Sequence, residues 1–220
     1  ADLKYSHSKT FTRSQPTFDF FLYIDPENPF IPEDIAAVSE PGSYFLISRD
    51  NFDLGVRAEE IERDTYRSVL GVDGEIWNGV RFDASFVFGR TDVENTIANN
   101  RYNDRFAAAV DAVEGPDGPT CRSNLDPTAA PTDLVDQGWD GFEPRPGTWA
   151  GSFTPGPDSG CVPVNLFGEG SPSAAAARFF MTNSLATSRI EHWVTQAVLS
   201  GETFNWFVPD GAPMGWALGV

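Results

Sequence analysis

The clearest pattern of hydrophobic and polar positions lies between residues 64 and 90, where two alternating stretches follow each other. In DTYRSVLGVDGEI and again in VRFDASFVFGR, the apolar side chains stand mainly at even positions. A period of two is typical of a β-strand with two different faces. Asn78-Gly79, a preferred pair for tight turns, separates the stretches, so the sequence predicts a β-hairpin. Its mainly apolar face carries Tyr66, Ser68, Leu70, Val72, Ile76, Val80, Phe82, Ala84, Phe86 and Phe88.

Similar alternations near both ends of the chain predict further strands. Residues 1–24 alternate at first and end in the aromatic stretch TFDFFLYI, which indicates two strands joined near Pro16. SRIEHWVTQAVLSGETFNWFV and MGWALGV indicate two more, separated by the turn PDGAP. We therefore predict a mainly β chain with strands near residues 1–24, 44–90 and 187–220.

The stretches between these strands contain helix signals but no long alternation. We expect long loops near residues 25–43 and 91–186, the second of them rich in Pro, Gly, Ser and Thr. Short helices are predicted in PEDIAAV, in RYNDRFAAAVDAV, where Asp104 is a candidate cap, and in SPSAAAARFF.

Alternation of this kind fits a soluble antiparallel sandwich as well as a membrane barrel. Two details favour the barrel. The apolar face of the hairpin continues for about ten residues, near the length with which a tilted strand crosses a bilayer. The chain then turns polar at RTDVENTIANNRYNDR, whereas the two strands are joined by a minimal turn, and this asymmetry is typical of outer-membrane barrels. We predict antiparallel strands of a partial outer-membrane β-barrel over residues 1–220.

Charge restricts the partners that the chain can bind. The 220 residues carry a formal net charge of −17 and no basic run, so nucleic acid is not an expected partner. No stretch has the pattern of a signal peptide, and none approaches the roughly 18 consecutive apolar residues of a transmembrane helix.

Cys121 and Cys161 are the two cysteines, and both lie in stretches with loop composition, GPTCRSN and DSGCVPV. Free cysteines prefer buried apolar surroundings, so we favour a disulfide between them over a pair of free thiols. A disulfide implies an oxidising compartment.

Six stretches resemble the TonB-dependent receptors, the β-barrel transporters of the Gram-negative outer membrane, in the order in which that family has them. They cover most of the chain, and the resemblance depends on their number and order. The stretches are NPFIPEDIAA, ISRDNFDLGVRAEEIERDTYRSVLGVDGEI, DASFVFGRTDVENT, RFAAAVDAV, GCVPVNLFGEGSPS and IEHWVTQAVLSGET.

The resemblance implies a barrel wall with aromatic side chains towards outer-membrane lipid and long outer loops that help to capture a small-molecule ligand. It also implies a TonB-type energising complex as partner of the parent protein. The plug domain and coupling segment of such receptors are not visible in the sequence, so we expect no transport by this chain alone. The unfinished alternation at MGWALGV leads us to expect an excerpt of a longer barrel.

No residue pattern predicts a catalytic centre. His7 and His192 lie in strand patterns, and we interpret His192 as a satisfied or barrel-lining residue and not as a catalyst. The stretches SRDNFDLG, AEEIERD and GVDGE offer oxygen ligands that suit Ca²⁺, but none matches a known calcium loop, so we interpret them as solvated acidic loops and expect no metal site. The aromatic residues suit a lipid face or a core better than a carbohydrate platform; they are Phe82, Phe86, Phe88, Trp206 and Trp216.

Two alternatives from other classes remain open. In the first, the chain is a free-standing acidic soluble domain that acts as a metal (calcium)-dependent hydrolase of small esters or lactones and uses its carboxylate clusters. In the second, it is a ligand-capturing module without catalysis. Turnover that a chelator abolishes distinguishes the first alternative, and binding without turnover distinguishes the second.

Overall fold

The structure is a computed structural model and describes residues 1–40, 42–77, 79–131, 149–202 and 213–220. The chain divides into two compact units, which we name by their contents. The sheet unit comprises Ala1–Phe11, Glu60–Asn95 and Leu185–Val220. The core unit comprises Thr12–Glu59 and Thr96–Ser184.

A five-stranded sheet with the order β1-β4-β5-β8-β9 is the largest element of the structure. Its side chains alternate between two faces along each strand, as the sequence pattern predicts. The mainly β class and its antiparallel sheets are therefore confirmed. The strands are β1 (Asp2–Pro16), β4 (Val56–Trp77), β5 (Val80–Arg101), β8 (Met181–Glu202) and β9 (Gly215–Gly219).

Two of these strands, β5 and β8, extend beyond the predicted limits. β4, β5 and β8 are 22 residues long each, so the predicted loop over 91–186 is wrong at both ends, where β5 runs on to Arg101 and β8 begins at Met181. The prediction failed because it followed apolar side chains, whereas the ladder of backbone hydrogen bonds continues through polar sequence. For the same reason AEEIERD, interpreted as an acidic loop, is part of β4.

The predicted turn of the central hairpin is described only in part. Gly79 has a φ of +81°, a backbone conformation that suits glycine, and Asn78 lies outside the described residues. The predicted strand segment over 203–208, with Trp206, and most of the PDGAP turn also lie outside them.

Two short hairpins belong to the core unit. β2 (Phe18–Ile24) pairs antiparallel with β3 (Phe45–Asp50), and their inward side chains include Leu22 and Ile24. β6 (Ala112–Gly115) pairs with β7 (Gly118–Cys121) inside the stretch predicted as loop. Gly115 lies opposite Gly118, whose φ of +107° closes the turn over Pro116 and Asp117.

One 3₁₀ helix (Phe52–Leu54) and four short α-helices occur in the described residues: α1 (Glu33–Val38), α2 (Asn103–Val110), α3 (Arg122–Leu125) and α4 (Ala174–Phe180). The three predicted helices correspond to α1, α2 and α4. Ser173 caps α4 by accepting a hydrogen bond from the Ala176 N–H. Asp104 does not cap α2; it lies in the first turn and accepts hydrogen bonds from the backbone N–H groups of Gly151 and Ser152.

The hydrophobic core gathers around α2, whose Phe106 ring packs edge-on against Phe180 of α4. The predicted disulfide between Cys121 and Cys161 is present, and both cysteines belong to this core. It joins the end of β7 to a segment 40 residues further along the chain. The core unit is thus closed covalently as well as by packing.

Loss of the disulfide is expected to destabilise the core unit. For a loop of this length, the entropy of the unfolded chain accounts for about 4 kcal/mol of the free energy of unfolding. Cys121→Ser/Cys161→Ser should unfold at correspondingly lower denaturant concentration than the wild type. Reduction of the wild type is the matched control. Equal midpoints for the oxidised wild type and the double variant would contradict the expectation.

Candidate functional site

One face of the sheet unit carries a continuous row of apolar side chains, which we call the apolar band. Side chains from different strands meet on this face: Tyr5 contacts Tyr66 at 5.1 Å between ring centroids, and Phe88 contacts Trp193 at 4.5 Å. Leu218 lies opposite Leu199 in the register of β8 and β9. The band comprises Leu3, Tyr5, Tyr66, Leu70, Val72, Ile76, Val80, Phe82, Phe86, Phe88, Trp193, Leu199, Trp216, Leu218 and Val220.

The apolar band is not covered by any described residue. None of the described residues of the sheet unit is buried, whereas all the buried hydrophobic side chains of the described chain lie in the core unit. Leu70, Val72 and Leu218 are 55%, 62% and 69% exposed. Monomeric soluble proteins rarely leave an apolar patch larger than about 300–600 Å² open to water. A face of this kind is suited to an apolar surrounding or to a partner.

Charged side chains replace apolar ones at one end of the same face, and we call them the ionic belt. Lys9 donates to Glu60 at 2.6 Å and to Glu62 at 2.7 Å. Asp92 accepts from the Nε atoms of Arg90 at 2.8 Å and Arg189 at 2.7 Å. The belt comprises His7, Lys9, Glu60, Glu62, Asp64, Arg90, Asp92, Glu94, Arg189 and Glu191.

The change from apolar band to ionic belt follows an aromatic residue on each of four strands. We call these four residues the aromatic rim. On each strand, a member of the ionic belt lies two residues from the rim residue and on the same face. The successive pairs are Tyr5 and His7, Tyr66 and Asp64, Phe88 and Arg90, and Trp193 and Glu191.

The opposite face of the same strands is more polar, although Ile190 and Val194 also lie on it. An open cleft of about 510 Å³ on this face is lined by Asp73, Glu75, Arg81 and Asp83, with Val198 and Ser200 from β8. His192, which we interpreted as barrel-lining, lies on this face, because its Cβ stands 3.9 Å from the position that a side chain on Gly89 would take. The two faces of the sheet therefore differ in polarity, as the alternation predicts.

In the core unit, the acidic stretch SRDNFDLG is held by hydrogen bonds. Arg49 bonds to Asn51 at 2.8 Å and pairs with Asp53, and Asn51, which is fully buried, donates to Asp19 at 2.8 Å. Arg101 at the end of β5 pairs with Asp19. The stretch is an ordered part of the core unit and not a solvated loop.

A second cluster in the core unit surrounds Arg122. Its guanidinium lies 3.1 Å from each of three carboxylates, those of Asp25, Glu27 and Asp111. Asp111 is 7% exposed, and its burial raises the pKa of its carboxyl to about 6, although Arg122 opposes that rise. Neither this cluster nor the ionic belt was found from the sequence, because their members lie far apart along the chain.

The described residues contain no group of three or more His, Cys, Asp or Glu side chains placed to hold a metal ion. The expectation of no metal site and the Ca²⁺ alternative both remain predictions. His7 Nδ1 lies 3.0 Å from Asp64, which also accepts from the Tyr5 hydroxyl at 2.7 Å. The metal-dependent hydrolase likewise remains a prediction, tested by chelator-sensitive turnover.

Comparisons with known proteins find no matching protein family, no similar curated protein and no similar solved structure. Among the described residues, no helix has the length and apolar character needed to cross a membrane. The geometry of the two units is therefore the basis for any proposal about function.

The stability of the core unit should depend on the ionisation of Asp111. Because its folded pKa of about 6 lies above the ordinary 3.8, its contribution is greatest at low pH and is lost as the pH rises through 6. From pH 4 to pH 7, the free energy of unfolding of Asp111→Asn should rise relative to the wild type by up to roughly 3 kcal/mol. Denaturant titrations at each pH measure this difference.

Asp53→Asn is the control, because its free energy of unfolding relative to the wild type should change with pH in the opposite direction. Burial of Asp53 is outweighed by Arg49 and the Gly170 N–H, which hold the pKa of its carboxyl below 3.8. Its stabilising contribution is present at neutral pH and is lost as the pH falls below about 4. A constant difference between Asp111→Asn and wild type over the whole range would contradict the role of Asp111.

Proposed function

We propose that this chain forms part of the wall of an outer-membrane β-barrel receptor of the TonB-dependent type. In this proposal, loops of the chain on the outer side of the receptor help to capture a small-molecule ligand. Energy for uptake by the parent protein comes from a TonB-type complex, and the chain alone does not transport. The observation that carries the proposal is the apolar band, bounded by the aromatic rim and the ionic belt.

The height of the apolar band fits a bilayer. From Tyr66 to Ile76 of β4 there are ten residue-to-residue steps, which at about 3.3 Å each give roughly 33 Å along the strand. A strand tilted by about 40° then spans about 25 Å, the height of the lipid-facing band of outer-membrane barrels. Aromatic girdles at the edges of that band are also usual in such barrels.

The open edges of the sheet support the same proposal. Within the described residues, β1 and β9 are the edge strands, and the pairing of β8 with β9 and Val220 covers only Ala197–Glu202 of β8. Unpaired N–H and C=O groups are very costly in hydrocarbon, so a membrane wall requires further strands at both edges. We therefore propose a partial wall and not a closed barrel formed by this chain.

The disulfide fits a protein located outside the cytoplasm. Disulfides persist in oxidising surroundings, including the periplasm and the cell surface. The tight turn at Gly79 joins the ends of β4 and β5 that lie at the far end of the apolar band from the ionic belt. Short turns face the periplasm in outer-membrane barrels, so the ionic belt lies at the outer membrane surface in this proposal.

Charge placed in the apolar band should prevent association with lipid. Leu70→Arg puts a guanidinium near the middle of the band, and such a change costs about 2–4 kcal/mol at the bilayer midplane. After refolding with phospholipid vesicles, the wild type should float with the lipid in a density gradient, and Leu70→Arg should remain largely in the dense fractions.

Val69→Arg is the matched control, since Val69 is the adjacent residue of β4 and lies on the polar face. This variant should float like the wild type. If both variants float equally, or if the folded wild type stays out of the lipid fraction, the membrane proposal fails.

A further inference from the structure

We propose that the face of the sheet unit binds one zwitterionic phospholipid, with its headgroup on the ionic belt and an acyl chain beside the aromatic rim. This inference rests on the proposed function, because it assigns the lipid that contacts one place on the wall. It is carried by two adjoining clefts, one charged and one apolar, that share strands β4 and β5.

The charged cleft has a volume of about 530 Å³ and contains two arginines that are fixed on one carboxylate. Arg90 and Arg189 each reach Asp92 through Nε, one at each carboxylate oxygen. In the described part of the chain, this leaves the terminal nitrogens of both guanidinium groups for another acceptor. Thr187 also lines the cleft and adds a hydroxyl donor. Two guanidiniums and a hydroxyl at one place are suited to bind a phosphate group.

The carboxylates of the same cleft decide which phosphate compound fits. Glu62 is paired with Lys9, and Asp64 accepts from Tyr5, but Glu94 lines the cleft without a basic partner among the described residues. A purely anionic headgroup would be repelled by this excess of negative charge. A headgroup with its own primary ammonium instead donates to a carboxylate while its phosphate binds the arginines. Charge complementarity therefore selects a phosphoethanolamine headgroup.

The apolar cleft supplies a place for the hydrocarbon part of the same molecule. Its volume is about 340 Å³, and its lining includes Leu3, Tyr5, Tyr66 and Phe88. Phe88 is two residues from Arg90 along β5, a distance of about 7 Å. The distance between the two clefts therefore matches the distance between a phospholipid headgroup and the first carbons of its acyl chain.

The test is retention of short-chain phospholipids by the detergent-refolded chain in native mass spectrometry. Phosphatidylethanolamine should be retained in preference to phosphatidylglycerol, which lacks the ammonium, and to phosphatidylcholine, whose quaternary ammonium cannot donate a hydrogen bond. Arg90→Gln/Arg189→Gln should reduce retention at least about tenfold. Glu94→Gln should abolish the preference over phosphatidylglycerol. Arg63→Gln, on the opposite face of β4, is the control and should retain the lipid as the wild type does.

Retention that is equal for all three lipids, or unchanged in Arg90→Gln/Arg189→Gln, overturns the inference. Full competition by millimolar inorganic phosphate also overturns it, because the site would then be one for a free anion. Flotation of the same variants separates this outcome from failure of the proposed function. Arg90→Gln/Arg189→Gln should still float with vesicles, whereas a chain that cannot enter a bilayer does not float at all.

Discussion

The structure of the sheet unit depends on one constraint, the register of paired strands whose side chains alternate in phase. Phe88 meets Trp193 and Tyr5 meets Tyr66 because apolar positions coincide across each strand pair. A shift of one residue would send every apolar side chain of a strand to the opposite face. With the register as it stands, the apolar band, the aromatic rim and the ionic belt all lie on one face.

The two units are stabilised in different ways. The core unit buries α2 against α4, has a disulfide, and holds its polar groups in pairs such as Asp19 with Arg101. The sheet unit has hydrogen-bonded strands but no buried side chain among its described residues. Its exposed ion pairs contribute little in water, about 0–1 kcal/mol each. The proposed bilayer would supply the apolar surrounding that this unit does not provide for itself.

Alternation predicted the strands of the sheet, and apolar spacing with helix signals predicted α1, α2 and α4, because these are local properties of the sequence. The end of β5 after residue 90 and the start of β8 before residue 187 were missed, since they are strands by pairing and not by pattern. The hairpin of β6 and β7 was also missed, although EGPDGPT contains the turn residues that could have indicated it. The ionic belt is even less predictable from the sequence than these strands. The contact of Asp92 with Arg189 joins residues 97 positions apart, and only the folded sheet brings them together.

Depth-dependent fluorescence quenching tests the central claim, that the apolar band faces lipid. Variants with a single tryptophan at position 70 or at position 69, the native tryptophans being replaced by Phe, are refolded into vesicles of lipids brominated along the acyl chain. The account predicts strong quenching of Leu70→Trp, greatest with bromines deep in the bilayer, and weak quenching of Val69→Trp on the opposite face. Equal quenching at both positions, or none at position 70 in the folded protein, would contradict it.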